Sequence, residues 1–279
     1  YDVTYLSIAS LLQGIYPVVE TSDKYFNRDQ FFPAFILDHG KDNSFFQILR
    51  KTNKKFNWLG NTWAYCQDNI YIKCINSKKT HKYVNKIKPF YFDSIFIYLL
   101  NFYTQDKKNN DTINIFKNFN IIFDKNEIFL IHILSPHPPY VFDEKCKIKD
   151  DINTKQNLEI EYYKYAYNCL IEEIVNFSNK INSINKDNMV FVLGDHGWSF
   201  SKEIMQKHKL DPEESRFKTF FAYKIPNRCN EIDPPNSIVN TIRFALICAG
   251  NNDLMYLEDL KFKTFYENDN NYGKVFLKK

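Results

Sequence analysis

Apolar residues fall into short, nearly continuous runs that alternate with longer segments of helical spacing along the chain. Continuous runs are typical of strands buried on both faces, and spacings of three and four residues are typical of amphipathic helices. The predicted strands are Phe56–Leu59, Ile70–Ile75, Glu127–Leu134, Asn188–Leu193 and Phe217–Tyr223. The predicted helices are Tyr5–Gln13, Ser44–Lys51, Asp93–Tyr103, Leu158–Ile184 and Ser237–Ala249. This alternation predicts an α/β fold, a three-layer α/β/α sandwich around a mostly parallel sheet.

Composition and charge narrow the class of protein. Of the 279 residues, 44% are hydrophobic, which predicts a globular chain with a sizeable core. The net charge is only +4 and the lysines are spread without a dense patch, so nucleic-acid binding is not expected. No uncharged apolar run reaches the about 18–20 residues that a membrane-spanning helix needs. We find no internal repeat, and we predict one domain over residues 1–279.

The six cysteines fall into three sequential pairs, each in or near a predicted loop. None forms a CxxC pair, so neither a zinc knuckle nor a thioredoxin-type motif is expected. Our interpretation is three local disulfides in an oxidising compartment, Cys66–Cys74, Cys146–Cys169 and Cys229–Cys248. Six cysteines allow many connectivities, so this pairing is one choice among several. Free thiols in a cytosolic protein are the alternative.

The sequence Gly-Asp-His-Gly at 194–197 directly follows a predicted buried strand. Ligands gather at the carboxyl ends of strands in open parallel sheets, where Asp195 and His196 would stand side by side. A carboxylate next to an imidazole suits a divalent metal, although two ligands do not complete a site. The alternative is an aspartate that caps the next helix beside an uninvolved histidine. Asp38-His39-Gly40 has similar letters but no supporting neighbours, and we interpret it as structural.

A second group of residues, His-Ile-Leu-Ser-Pro-His-Pro-Pro-Tyr at 132–140, follows the predicted strand Glu127–Leu134. Two prolines after His137 stiffen the loop and fix its exit from the sheet. His137 is therefore a candidate for clamping a substrate anion or donating a proton, and a proline-rich surface turn is the alternative. His132 lies within the strand and is interpreted as a core histidine.

Thr4 stands at or just before the N-terminus of the first predicted helix. Backbone N–H groups and the helix dipole favour an anion at such a position. A hydroxyl there is a good nucleophile when a metal lowers its pKa. The alternative is that Thr4 is only an N-cap.

These motifs, in this order, resemble the alkaline phosphatase superfamily and especially its sulfatase-like branch. That branch includes arylsulfatases, nucleotide pyrophosphatases, phosphoethanolamine transferases and phosphoglycerol transferases. Its nucleophile precedes, by ten residues, the glycine of a Gly-x-Tyr-Pro element, and Thr4 keeps that spacing to Gly14. The remaining matches are Tyr16-Pro17, Gly194–Gly197, Pro136-His137-x-Pro139-Tyr140, Arg216-Phe217, Ala222-Tyr223, Pro226, Val239-Asn240-Thr241 and Arg243.

The resemblance implies a role for each candidate residue. Thr4 would attack phosphorus and form a covalent phospho-threonine, while Asp195 and His196, with Thr4, would hold a divalent metal (Mn, Zn, Mg or Ca). His137 would contact the transferred group, and His208 is a weaker candidate for a ligand or substrate contact. The substrate would be a phosphoester-bearing lipid or glycan of the cell envelope.

Two departures from the family pattern matter. The family supplies an acidic metal ligand from a strand upstream of the nucleophile, and Asp2 is too close to Thr4 to be that residue. We therefore expect a fragment that lacks its first strand and a membrane-attaching segment. We expect this fragment to bind metal poorly and to face the bacterial periplasm. Sulfatases oxidise a Cys or Ser to formylglycine, which Thr4 cannot become, so phosphate chemistry is favoured over sulfate-ester hydrolysis. A non-catalytic binding protein on the same fold is a further alternative.

Overall fold

The computed structural model describes residues 1–18, 26–31, 53–59, 72–75, 127–133, 135–138, 140, 142–147, 160–185, 187–198, 200–251, 253–266 and 272–278. The chain divides into two compact units. The terminal unit contains Tyr1–Asn53 and Asn185–Lys279, and the central unit contains Lys54–Ile184. This division does not test whether residues 1–279 form one domain, which stays a prediction.

Helices and strands are mixed along the described chain. The helices are α1 Thr4–Gln13, α2 Ile160–Ile184, α3 Lys202–Lys207, α4 Pro212–Ser215 and α5 Ile238–Cys248, with 3-10 turns at Arg28–Phe31 and Asn227–Cys229. The strands are β1 Phe26–Asn27, β2 Lys55–Leu59, β3 Ile72–Ile75, β4 Glu127–Ile131, β5 Val190–Leu193, β6 Phe221–Lys224, β7 Phe262–Tyr266 and β8 Tyr272–Leu277. The predicted mixed α/β class is confirmed.

The central unit contains a parallel sheet in the order β3-β2-β4. Phe56 and Trp58 on one face of β2 and Asn57 on the other are all buried, as expected of a central strand covered on both faces. A separate hydrophobic cluster joins Tyr140 and Phe142 to Ala166 and Cys169 of α2. The prediction of parallel strands at Phe56–Leu59, Ile70–Ile75 and Glu127–Leu134 is therefore correct to within a few residues.

The terminal unit contains two small antiparallel sheets, one in the order β1-β8-β7 and the other pairing β5 with β6. The sequence predicted β5 as a strand of a parallel sheet, and its described partner β6 instead runs antiparallel to it. α1 packs against α5 and is buried along nearly its whole length. It ends at Gly14, which adopts the left-handed conformation (φ 64°) that glycine accepts without steric cost.

The β7–β8 hairpin was not predicted, because we assigned no element after Ala249. Its sequence nevertheless alternates as a half-buried strand should. Phe262 and Thr264 of β7 and Val275 of β8 are buried, while Phe265 and Phe276 are exposed. The polar run Glu-Asn-Asp-Asn-Asn at 267–271, between the strands, is the turn signal that could have identified the hairpin.

Two of the three predicted disulfides are present, Cys146–Cys169 in the central unit and Cys229–Cys248 in the terminal unit. Each pair has a Cα–Cα distance of 5.4 Å, within the usual range for a disulfide. Cys66 lies outside the described residues, so the Cys66–Cys74 pair stays a prediction. The predicted helices Ser44–Lys51 and Asp93–Tyr103 and the segment Asp38–Gly40 also lie outside them. Within the described part of the chain, no helix has both the length and the apolar character to cross a membrane.

Candidate functional site

Thr4 is the first residue of α1, in the terminal unit. The N-cap position belongs to Val3, whose backbone is extended (φ −139°, ψ 141°) and whose side chain makes no capping hydrogen bond. The alternative that Thr4 is only an N-cap is therefore wrong, and its hydroxyl is available for another partner. No acidic residue lies in the first turn of α1.

Asp195 and His196 follow β5 directly and are held in place by backbone hydrogen bonds on either side. The N–H of Gly194 donates to the carbonyl of Phe220 (2.8 Å), and the N–H of Gly197 donates to the carbonyl of Arg216 (2.7 Å). The loop that carries the two side chains is thus pinned at both ends to the segment between α4 and β6.

Gly197 is required by a close approach of two backbone segments. A Cβ at this position would collide with the carbonyl oxygen of Ser215 and would stand 2.7 Å from that of Lys218. At Gly194, by contrast, the nearest atom to such a Cβ would be Thr219 Cβ at 3.4 Å, an ordinary contact. The sequence predicted a tight turn between two glycines, whereas only the second of them is sterically demanding.

The structure brings Thr4, Asp195 and His196 together although 192 residues separate Thr4 from His196. Thr4 Oγ1 lies 2.9 Å from His196 Nε2, a hydrogen-bond distance. The same Nε2 lies 3.6 Å from Asp195 Oδ2. The side chains of His196 and Asp195 keep 13% and 25% exposure, so they are mostly buried but still in contact with solvent. Their catalytic and metal-binding roles stay predictions.

The second nitrogen of the imidazole fixes the direction of the hydrogen bond to Thr4. His196 Nδ1 lies 2.8 Å from the carbonyl oxygen of Gly197. A carbonyl oxygen can only accept, so Nδ1 carries a proton, and in the neutral ring Nε2 is then the nitrogen that presents a lone pair. In that neutral form the Thr4 hydroxyl donates to Nε2, which is the arrangement that prepares a hydroxyl for nucleophilic attack.

The two separations measured from His196 Nε2 can be compared with those between ligands of a divalent cation. Two ligands of a tetrahedral zinc ion lie about 3.4 Å apart when each is about 2.1 Å from the ion. The separations of Nε2 from Thr4 Oγ1 and from Asp195 Oδ2, 2.9 and 3.6 Å, are close to that value. Among the residues that the structure describes, no group of three or more His, Cys, Asp and Glu side chains is placed to hold a metal ion. The trio would therefore supply two such ligands and one hydroxyl.

Of the two remaining histidine candidates, His137 belongs to the central unit and His208 to the terminal unit. His137 is exposed in the central unit, and its Nδ1 lies 2.6 Å from the carbonyl oxygen of the adjacent Pro138. His208 is exposed at the C-terminal end of α3 in the terminal unit, where its backbone N–H donates to the Ile204 carbonyl (3.1 Å). Contact of either side chain with a substrate stays a prediction. His132, expected in the core, is half-buried with its ring 6.4 Å from that of Trp58.

Several residues that support the site were given no role by sequence reasoning. Asp2, only 8% exposed, accepts a hydrogen bond from the backbone N–H of Thr264 (3.0 Å), which ties the residues before α1 to β7. The hydroxyl of Tyr16 donates to the Glu258 carbonyl and accepts from the Leu260 N–H, both at 2.9 Å. Burial raises the pKa of Tyr16. The contact of Asp2 spans 262 residues and left no signal in the sequence.

Asn240 and Arg243 of α5 appeared in the sequence only as parts of a resemblance. The amide nitrogen of Asn240 lies within hydrogen-bond distance of the Leu257 carbonyl (2.9 Å), and its amide oxygen accepts from the Leu257 N–H (2.9 Å). Arg243 donates from Nη1 to the Gly14 carbonyl (2.7 Å) and from Nε to the Met255 carbonyl (2.6 Å). Both side chains therefore form hydrogen bonds with backbone groups and hold neighbouring segments of the chain next to α5.

Comparisons with known proteins add little to this geometry. No family model matches the chain, and no curated protein does. Among solved structures, the chain is similar to a carrageenan sulfatase, Ps i-CgsB, in its crystal structure with k-i-k-neocarrahexaose, at 12% identity and a TM-score of 0.47. The match covers 90% of this chain and 62% of that one, so this chain spans less than two thirds of that protein's length. A likeness this distant carries no argument about activity, so the function has to be argued from Thr4, Asp195 and His196.

Proposed function

We propose that this protein is a metal-dependent phosphotransferase or phosphodiesterase that acts through Thr4 on a phosphoester of an envelope lipid or glycan. The observation that supports this most directly is the 2.9 Å contact between Thr4 Oγ1 and His196 Nε2. A hydroxyl that donates to an imidazole lone pair at a helix N-terminus combines a nucleophile, a proton acceptor and a site for an anion.

The reaction would proceed in two displacements at phosphorus. In the first, the Thr4 oxygen bonds to phosphorus, its proton passes to His196 Nε2, and the bond from phosphorus to the leaving alcohol breaks. The imidazolium then returns the proton to the leaving oxygen. In the second, water or an acceptor alcohol gives its proton to Nε2 and attacks phosphorus, and the Thr4 oxygen leaves and is reprotonated.

The N-terminus of α1 favours a negatively charged group beside Thr4. The first backbone N–H groups of a helix have no partner within the helix, and the helix dipole adds positive potential there. In α1 no side-chain cap at Val3 and no acidic residue in the first turn compete for those groups. A phosphoryl oxygen would therefore be stabilised as charge develops on it.

A divalent cation, when bound by Asp195, His196 and Thr4, would lower the pKa of the Thr4 hydroxyl and offset negative charge on the phosphoryl oxygens. Because Nε2 has one lone pair, it serves either the proton of Thr4 or the cation at any one moment. In both cases the Thr4 oxygen is the atom that becomes the nucleophile. Manganese, zinc, magnesium and calcium are all candidates for the cation.

The side chain of Thr4 favours phosphate over sulfate esters. A sulfatase of the resembling branch needs a Cys or Ser that can be oxidised to formylglycine, and threonine carries a methyl group that blocks this. The disulfides Cys146–Cys169 and Cys229–Cys248 are compatible with an extracytoplasmic location, where envelope substrates are found. Attachment to the membrane through a segment upstream of Tyr1 is part of the same proposal.

The test is a substrate panel on the full-length protein with each of the four cations. We expect hydrolysis of bis-p-nitrophenyl phosphate, no hydrolysis of p-nitrophenyl sulfate, and a phosphorylated Thr4 in acid-quenched samples analysed by mass spectrometry. Thr4→Ser should retain the covalent intermediate, and Thr4→Val should lose it. Faster turnover of the sulfate ester would replace the proposal by a sulfatase. Absence of both metal binding and turnover would favour a non-catalytic binding protein.

A further inference from the structure

The C-terminal end of α1 is held by one side chain from α5. The last carbonyls of a helix have no partner within it, and at this end the Gly14 carbonyl accepts from Arg243 Nη1 at 2.7 Å. The same guanidinium donates from Nε to the Met255 carbonyl at 2.6 Å. Arg243 thus joins the end of α1 to the segment after α5 through two different nitrogen atoms.

The same helix, α5, also contacts the strand that carries the other half of the candidate site. The ring of Phe244, fully buried, meets that of Phe191 in β5 edge-on with centroids 5.7 Å apart. On α5 the next residue back is Arg243, and a Cβ on Gly14 would be only 2.9 Å from Ile242 Cγ2. α5 is therefore a common support for the helix of Thr4 and the strand that leads to Asp195 and His196.

We propose that Arg243 is a positioning residue for Thr4, because it sets the location of α1 along its own axis and thereby the distance from Thr4 Oγ1 to His196 Nε2. The inference rests on the proposed function for its effect on turnover, but its structural part does not. A ten-residue helix behaves as a rod of about 15 Å, so displacement of its C-terminal end is transmitted to its first residue. A misplacement of about 1 Å at a reacting group can cost about 10²-fold in rate.

The geometry requires arginine and not only a positive charge. The guanidinium is planar, and its donors point in fixed directions, so Nη1 and Nε reach two carbonyls at once. A lysine ammonium is a single point on a flexible stem and cannot hold both carbonyls in one orientation. Arg243→Lys should therefore keep the charge and lose the clamp.

The direct test measures the hydrogen bond between Thr4 and His196 without any substrate. The full chain is labelled with ¹⁵N-histidine in buffer with a chelator, and the Nε2 resonance of His196, one of six histidines, is assigned with Thr4→Val. In Arg243→Ala we expect this resonance to move towards its position in Thr4→Val, and in Arg243→Lys to move part of the way. Val275→Ala removes buried volume from β8 in the same unit and should leave it unchanged.

Kinetics then separate positioning from general loss of stability. In Arg243→Lys we expect kcat for the phosphodiester to fall roughly tenfold or more with KM nearly constant, because the anion site at the helix N-terminus is still present. Val275→Ala, assayed below its melting temperature, should keep kcat.

A wild-type Nε2 resonance in Arg243→Ala overturns the positioning role whatever the activity. If Arg243→Ala does not fold, a wild-type resonance in Arg243→Lys overturns it. A displaced resonance in a protein whose turnover does not need Thr4 refutes the proposed function and leaves the positioning role intact.

Discussion

The two ends of α1 differ in the kind of group that they contact. At the N-terminal end, the half-buried Thr4 hydroxyl meets a titratable side chain, His196, and the partners around it are chemical groups. At the C-terminal end, the Gly14 carbonyl accepts a hydrogen bond from Arg243, and the Tyr16 hydroxyl is hydrogen-bonded to the backbone of Glu258 and Leu260. These contacts hold the end of the helix in place. The motif from Thr4 to Tyr16 therefore divides into one residue, Thr4, with a proposed catalytic role and several residues that hold the helix in place. Substitutions at the two ends should accordingly separate activity from stability.

The largest effect is expected at the chemical end. Thr4→Val keeps the shape of the side chain and removes the oxygen that would attack phosphorus, so turnover of a phosphodiester should fall at least about 10³-fold. The melting temperature should change little, because the hydroxyl is not the cap of α1. Thr4→Ser, which restores a hydroxyl, should recover much of the rate. Retention of turnover in Thr4→Val with metal still bound would show that another residue is the nucleophile.

A somewhat smaller loss is expected for the partner of that hydroxyl. His196→Ala removes the Nε2 lone pair and should reduce kcat by about 10²–10⁴-fold, the usual worth of a positioned proton acceptor. Isothermal titration with zinc or manganese should show weaker binding than in the unaltered protein, because the imidazole is one of the donor atoms. His208→Ala is the comparison, because His208 is the weaker histidine candidate of the same unit and is exposed at the end of α3. Equal losses in both variants would argue against a special role for His196.

The sequence revealed the elements near the site better than it revealed their contacts. α1 was predicted to within one residue, because a mostly apolar segment, interrupted by Ser7 and Ser10, ends at Gly14. The need for Gly197 was assigned to a turn, whereas the cause is the backbone around Ser215, which no local pattern announces. The bond from Asp2 to Thr264 was also beyond reach, since nothing in the sequence identifies a partner 262 residues away. The family resemblance thus predicted that Thr4, Asp195 and His196 meet, whereas the packing contacts that hold them together are visible only in the structure.

In the loop that carries Asp195 and His196, a substitution can affect both the candidate site and the stability of the fold. Gly197→Ala would drive a methyl group into the backbone at Ser215 and Lys218, which are held there by hydrogen bonds and cannot yield as a flexible side chain would. We expect a loss of at least about 2 kcal/mol in the free energy of unfolding, measured by urea denaturation. Gly194→Ala, where the nearest atom is 3.4 Å away, should cost less than about 1 kcal/mol. Similar costs at the two positions would contradict the steric explanation.

At the C-terminal end of α1, Tyr16→Phe should lower the stability of the fold and leave turnover unchanged. It removes two hydrogen bonds and leaves the Leu260 N–H without its acceptor, which should cost about 1–3 kcal/mol in the free energy of unfolding. Because burial raises the pKa of Tyr16, its neutral form stabilises the folded chain below the usual value of 10.0, and this contribution is lost as pH rises above that value. Between about pH 7 and pH 11, the melting temperature should fall less steeply with pH for Tyr16→Phe than for the unaltered protein. An equal alkaline slope in both proteins would contradict this assignment.

The smallest effect is expected from the charged residues that hold α4 next to the candidate site. Lys263 lowers the pKa of Glu213, and Lys278 and Lys261 lower that of Glu214, through hydrogen bonds and charge attraction. A lowered carboxyl pKa means that these pairs stabilise the folded state above the usual value of 4.5 and lose that effect as pH falls below it. Since the Glu213 and Glu214 side chains keep 55% and 37% exposure, solvent screens these pairs and the gain is slight.

Replacing both glutamates by glutamine should therefore lower the melting temperature a little at pH 7 and not at all near pH 3, with the difference at pH 7 reduced in about 1 M salt. Glu231→Gln, another exposed carboxyl in the same unit, is the matched control. The comparison matters for the site because α4 leads directly into the backbone that lies on Gly197. A difference that persisted unchanged at pH 3 would mean that α4 is held by packing, such as the contact of the Lys278 ammonium with the Phe217 ring (5.3 Å), and that its charges are incidental.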